Sequence, residues 1–385
     1  MRYALLPVGL LALASFEAAA VWFVMPLPGS QRIRSVEVAY ALYSLRWALR
    51  GIALLLITLG IRSLPARRDG RLALAALALI TGGVTYVTNF VLPADRIFRQ
   101  PDRVTMTGAS ASDVALDRLV VGVVMNGEAR AYPLQFIGYH HFLTDTIAGR
   151  PVLVTYCTVC RTGRVFDPVL DGAVERFRLV GMDEFNAMLE DRTTGSWWRQ
   201  ANGEALVGPR RGTVLPEIPS VQVTLGRWIA LHPATRVMRG DPQFADEYDR
   251  DYAFERGTSR RTLTGTDPRS WERKSWVVGV SLDGTDRAYD WNALLRSGVI
   301  NDTIAGRPIV VVVATDSASF FAFERPDATT IFLRDGDSLR TGGPTVGRAV
   351  GFDGRGPRDT LRAVTASQEF WHSWQSFHAQ TTRYP

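Results

Sequence analysis

Three blocks of this chain occur twice, always 157 residues apart. Val120-Val121-Gly122-Val123 recurs as Val277-Val278-Gly279-Val280, Arg130-Ala131-Tyr132 as Arg287-Ala288-Tyr289, and Asp145 to Pro151 (DTIAGRP) letter for letter as Asp302 to Pro308. A constant offset leaves no room for an insertion between blocks. Both stretches must therefore satisfy the same spacing of strands and turns. At that offset His140 and His141 face Ser297 and Gly298, while Cys157 and Cys160 face Ala314 and Ser317. The shared blocks read as carriers of the fold. The four residues able to bind a metal or exchange electrons are missing together from the second copy, and read as one unit of chemistry.

Hydropathy divides the chain. Three apolar runs, Ala4–Met25, Val38–Ile61 and Leu72–Leu92, each approach the ~20 residues needed to cross the hydrocarbon core. Ala18-Ala19-Ala20 would suit a signal-peptide cleavage site, but two further spans follow. Arg62, Arg67, Arg68 and Arg71 lie between spans two and three, and Arg2 precedes span one. They outweigh Arg32 and Arg34 in the first loop, so the positive-inside rule puts the N-terminus in the cytoplasm and everything after Leu92 outside. The expected setting is the bacterial inner membrane, with an extracytoplasmic C-terminal domain. Glu17 and Arg46 fall at similar depth, with Arg50 one turn deeper, which predicts a Glu17–Arg46 pair. The lipid bilayer is thus one expected partner; a small-molecule or protein partner is unassigned.

Of 44 basic residues only Lys274 is a lysine, a bias read mainly as one of coding. The net charge of +6 is modest, and no basic stripe with interleaved aromatics argues for nucleic-acid binding.

The organisation expected is residues 1–94 as membrane region, 95–118 as tether, 119–238 as copy one, 239–274 as a polar linker arm and 275–385 as copy two. Strands are predicted at Leu119–Met125, Val152–Tyr156, Arg164–Phe166 and Ala173–Leu179, with a short helix at Leu134–His141. Trp228, His232 and Thr235 share their spacing with Trp374, His378 and Thr381. Present in both copies, those two histidines read as structural. The fold class expected is a three-span α-helical membrane region followed by an α+β, β-rich soluble domain of two tandem pseudo-symmetric repeats.

Cys157-Thr-Val-Cys160 follows an apolar strand. Such a pair can chelate an ion, close a tight disulfide, or exchange disulfides. A c-type haem is excluded because Arg161 stands where that motif needs histidine, and nothing indicates a nucleotide. The thioredoxin arrangement fits poorly, since a second strand rather than a helix follows. His140 and His141 lie just before the strand that delivers the cysteines. Two thiolates with imidazole suit copper or zinc. A static disulfide, a redox dithiol and a nucleophilic cysteine with His140 as base remain open. Asp145, as partner of an imidazole, and Arg161 are expected around the site. A second candidate is the segment containing Asp191, Ser196, Trp197, Trp198 and Gln200, which could line a pocket floor or simply be a loop pinned by tryptophan burial.

These stretches resemble the bacterial and archaeal family catalogued as domain of unknown function 3179. The carrying residues include Arg130-Ala-Tyr-Pro133, His140, Asp145, Pro151 through Cys157-Thr-Val-Cys160, Gly163, Asp191, Thr194-Gly195-Ser196, Trp198, Gln200, Gly203-Glu204-Ala205, Trp228 and His232-Pro233. The resemblance implies an extracytoplasmic domain, often behind a membrane anchor, and carries no assigned reaction. In many relatives a glutamate follows the first histidine, where this chain has His141, so the resemblance singles out His140. The function expected is therefore a membrane-anchored protein binding copper or zinc through Cys157, Cys160 and His140, with His141 as possible fourth ligand. The alternatives are a thiol-disulfide oxidoreductase using Cys157 and Cys160, and a non-catalytic module stapled by them.

Overall fold

The computed structural model describes residues 4–62, 64–65, 67–342, 349–356 and 360–385; Arg2 lies outside them. The chain forms two compact units. One comprises Met1–Arg99, Glu175–Arg199 and Glu204–Val214; the other Gln100–Val174, Gln200–Gly203 and Leu215–Pro385.

In the first unit two helices, Leu5–Trp22 and Arg68–Val91, are long and apolar enough to cross a membrane. The middle apolar run differs from the straight span expected. It is two helices, Val36–Ser44 and Arg46–Ile61, bent by 60° at Leu45, so a third span exists only if the bent pair counts as one. Side-chain packing accounts for the break. Tyr40 and Tyr43 lie against Trp197, with ring centroids 5.1 and 5.3 Å away. The Tyr43 hydroxyl also accepts a bond from Arg178 at 2.9 Å and donates to Glu190 at 3.2 Å. Trp197 and its neighbours belong to a four-stranded antiparallel sheet of Phe177–Asp183, Asn186–Asp191, Trp197–Arg199 and Ala205–Val207. The Val36–Ser44 helix is thus held by a sheet.

The bend also changes the partner of Glu17. Glu17 bonds Arg50 at 2.8 and 3.0 Å and the Asn89 amide at 2.8 Å, while Arg46 turns to the Tyr43 carbonyl. Counting depth along a straight helix had favoured Arg46. Asn89 sits in a π-helical turn, Val87–Val91, a local widening that proteins keep mostly where a side chain must be re-aimed.

The second unit is β-rich. One sheet runs Met106–Gly108, Arg236–Met238, Glu128–Pro133, Leu119–Met125, Ser220–Thr224; another runs Ala366–Phe370, Trp276–Leu282, Thr285–Asp290, Thr382–Arg383. Two three-stranded hairpin sheets follow the shared blocks: Phe142–Ile147, Arg150–Cys157, Thr162–Phe166, and Val299–Ile304, Arg307–Val313, Phe320–Glu324. The registers obey the sequence offset. Val120 pairs with Pro133 and Val277 with Asp290; Asp145 pairs with Val152 and Asp302 with Ile309. The repeated Ala-Gly closes both hairpins with two positive-φ residues, Ala148-Gly149 and Ala305-Gly306, the turn whose twist matches paired strands.

The glycine of each Val-Val-Gly-Val block has a steric reason. A Cβ on Gly122 would lie 2.4 Å from the Trp228 ring, and one on Gly279 2.2 Å from Trp374. Each indole donates to a threonine seven residues on (Thr235, Thr381), both at 2.8 Å; Trp374 stacks on His378, while Trp228 meets His232 at a tilt.

Three expectations are modified here. The strand expected at Ala173–Leu179 is two strands, Ala173–Val174 and Phe177–Asp183, in different units. The tether contains a helical turn, Ala94–Ile97, and the strand Met106–Gly108. The polar arm contributes Phe244, Tyr248 and Phe254 to the core; its aromatics do the burying that its few aliphatics do not.

Candidate functional site

Cys157 ends the strand Arg150–Cys157, and Thr162, paired with it, begins the next. The four residues between them form a hairpin loop that carries Cys160 and leaves through Arg161 in the left-handed region (φ 60°). Both cysteines are buried. In the second half the matching loop is closed by Asp316. Its carboxylate accepts the Ala318 and Ser319 amides at 3.0 and 2.8 Å, and the Ser319 and Thr224 hydroxyls at 2.6 and 2.9 Å. At the position of Asp316 the first half has Val159, which has no side-chain acceptor.

Something else holds the Val159 turn. Lys274 donates from Nζ to the Val159 carbonyl at 2.9 Å and to the Leu263 carbonyl at 2.6 Å, and lies 4.3 Å from the Phe370 ring centroid. Burial lowers its pKa to about 8, against the opposing pull of the Cys160 and Cys157 sulfurs. His372 also bonds the Val159 backbone; burial, then Lys274 and Arg273, push its pKa down to about 3, so it is neutral. The Phe370 amide donates to the Cys160 carbonyl at 2.9 Å. Neither Lys274 nor His372 was a sequence candidate. The signals were there: the one lysine among arginines, and a histidine where the first half has Gly226.

His141 ends the helix Leu134–His140 in the left-handed region (φ 65°), where the second half has Gly298 at 74°. Its carbonyl accepts the Tyr156 amide at 2.8 Å, which sets it beside the residue preceding Cys157. His140, the last residue of that helix, is buried, and its carbonyl accepts the Gln100 amide at 2.7 Å. The His141 Nδ1–H donates to the Tyr139 carbonyl at 3.0 Å, leaving the lone pair on Nε2. Burial lowers its pKa to about 4, so the ring is neutral at pH 7. His140 Nε2 lies 3.1 Å from the Tyr248 hydroxyl, with Phe244 and Tyr139 edges around the ring. Among the described residues no group of three or more His, Cys, Asp and Glu is arranged to hold a metal. A non-glycine residue held left-handed costs of order 1 kcal/mol or more and points to a functional constraint. His141→Gly is accordingly expected to leave stability within about 1 kcal/mol by urea unfolding, strain relief offsetting lost contacts, while altering the chemistry at Cys157 and Cys160. A loss of several kcal/mol would make the ring a packing element.

The remaining candidates are tied into the scaffold. Asp145 accepts the Tyr132 hydroxyl at 2.7 Å, as Asp302 accepts that of Tyr289 at 2.8 Å. It serves a tyrosine common to both halves rather than an imidazole. Arg161 is buried, 3.6 Å over Trp276, and donates to Gln368, Phe254 and Glu255, each at 2.9 Å. Beyond it opens a cavity of about 500 Å³ lined by residues including Trp276, Glu255, Asp316 and Ser317. In the first unit Asp191 binds the Thr194 and Gly195 amides and the Trp198 indole N–H, and Ser196 accepts the Arg210 amide. Trp197 donates to Glu190 at 2.8 Å. Gln200, in the second unit, donates to Thr155 and Thr162. The candidates for a pocket floor are thus divided between the units.

Residues 99–381 match one family model, described as protein of unknown function (DUF3179). No curated protein and no solved structure matches the chain.

Proposed function

This chain belongs to the DUF3179 family of proteins of unknown function, and from that premise we propose that it is a membrane-anchored thiol protein whose Cys157 and Cys160 exchange disulfides. The observation that carries this reading is the comparison of the two hairpin loops. The second half closes the same turn with Asp316 and no cysteine, so the thiols of the first half are not needed for the turn. Two thiols three residues apart, one ending a strand and one in the loop that follows it, suit a pair that alternates between dithiol and disulfide.

The reaction balances as follows. A thiolate of the pair attacks a disulfide on a partner, forms a mixed disulfide and releases one partner thiolate, which takes up a proton. The second cysteine, deprotonated in turn, attacks the mixed disulfide and releases the second partner thiol. The chain is left as a Cys157–Cys160 disulfide, two electrons poorer, and the partner two electrons richer. We further propose that the second unit consists of two pseudo-symmetric copies of one fold, and that it lies outside the cytoplasm of a bacterial inner membrane with the N-terminus inside. Disulfide chemistry belongs to such a compartment.

A second reading has a specific support. His141 donates Nδ1–H to a backbone carbonyl, the way metal-binding histidines fix their tautomer, and its own carbonyl accepts the amide of Tyr156, the residue before Cys157. In that reading copper or zinc would be held by Cys157, Cys160 and His140, with His141 as a fourth donor.

The test uses the full chain in detergent, purified without chelator. Metals are measured by mass spectrometry, and thiols are counted before and after oxidised glutathione. Paired loss of both thiols, a glutathione adduct trapped on one cysteine when the other is serine, and indifference to chelators are the expected results. Near-stoichiometric copper or zinc that leaves with Cys157→Ser would replace the exchange reading by the metal one. Neither metal nor reactive thiols would leave the pair as a structural element.

A further inference from the structure

We infer that the reactive centre is shared between the two halves of the second unit: the first supplies the thiols, and the second supplies Lys274 as the counter-ion of the thiolate that forms between Cys157 and Cys160. This rests on the thiol reading above.

The argument begins with equivalent backbone bonds. In the first half the Leu225 and Gly226 amides donate to the Arg118 and Leu116 carbonyls, both at 2.8 Å. In the second, Trp371 and His372 donate to Ser275 and Arg273, at 2.8 and 3.0 Å. The same pair of chain segments is therefore built twice, and Lys274 stands where the first half has Asp117, His372 where it has Gly226. The second half lacks the thiols and carries a cation and an imidazole at these two positions. Both reach the Val159 backbone, between the two cysteines.

The chemistry of Lys274 fits the role. Two of its three N–H groups are satisfied by carbonyls and its charge faces the Phe370 ring. An ammonium so held is a compact positive charge bonded one residue from Cys160 and two from Cys157, and a nearby cation favours thiolate over thiol. Of its charged neighbours in the chain, Arg273 is exposed and Glu272, of opposite sign, is half-buried. Arg161 spends its fork on Gln368, Phe254 and Glu255, and His372 is neutral. Lys274 is thus the cation aimed at the loop. It also makes sense of a lysine surviving among 43 arginines: a flat guanidinium fork is a poor substitute for a point charge set against two carbonyls.

The experiment follows iodoacetamide alkylation of the reduced full-length protein between pH 6 and 10, for wild type and Lys274→Met. Loss of a counter-ion slows alkylation at pH 7 by about tenfold, equivalent to about one pKa unit, with the two profiles converging at high pH. Loss of a mere structural peg loosens the loop and speeds alkylation at every pH. Superimposed profiles, or a faster variant, overturn the inference while leaving the thiol reading standing. Wild-type thiols that fail to react at any pH sink both. Should the variant not fold, the wild type still decides. Its only side-chain amine is Lys274, so acetylation by an N-hydroxysuccinimide ester can be read there by peptide mass spectrometry. Acetylation at least several-fold faster after diamide has joined the cysteines supports the inference, because the thiolate no longer holds the proton on Nζ; equal rates overturn it.

Discussion

Gly279→Ala is expected to destabilise the protein by about 3 kcal/mol or more, and Gly122→Ala by a similar amount, the upper end of what overpacking costs. A single methyl is enough because neither neighbour can yield. The Trp374 ring atoms would lie 2.2 Å from the new Cβ, and the ring is held at its far side by Thr381 and His378. On the other side the strand Trp276–Leu282 is fixed by ladders to both neighbours. Urea unfolding of the full chain in detergent checks this. Gly279→Ala combined with Trp374→Phe should recover part of the loss. A cost under about 1 kcal/mol would mean the indole can tilt.

Arg164→Met is expected to cost about 3 kcal/mol, the usual result of removing one member of a buried ion pair. Arg164 projects from the strand that follows the cysteine loop and is buried. It bonds Glu217, Ser367 and Glu369, all at 3.1 Å. Although burial opposes its charge, Glu217 and Glu369 raise its pKa above the ordinary arginine value. Its ionised form is therefore favoured in the folded chain at every pH below that value, and its contribution does not fade in the neutral range. Without it Glu369 is left, among the described residues, with the Ser367 and Ser373 hydroxyls, both at 2.9 Å. Adding Glu369→Gln should restore most of the stability. If the single variant unfolds like wild type, the carboxylate has another way to shed its charge.

Much of the β-structure was legible in the sequence because strands and tight turns are local. The apolar block at Leu119–Met125 marked a strand, and the constant offset required both stretches to space their strands and turns alike, as the ladders do. The cysteine loop was equally local: an apolar strand, two cysteines, then a second strand. The broken middle helix was not, since its cause is Trp197, more than 150 residues from Tyr40. Hydropathy counts apolar length and cannot register that two tyrosines bind a sheet. Nor could it choose Arg50 over Arg46, because a bend changes which residue lies level with Glu17.

The sequence by itself determined where most of the strands fall, the common spacing of the two stretches and the residues that set the first half apart, all of which depend on neighbours a few positions away. Tertiary structure alone decided what surrounds those residues. Asp145 went to Tyr132, a residue on a strand of another sheet. Lys274 and His372 reached Val159 across more than a hundred residues, by the pairing of Arg273–Ser275 with Phe370–His372. Such meetings come from how separately specified pieces pack, and no periodicity in either segment records them.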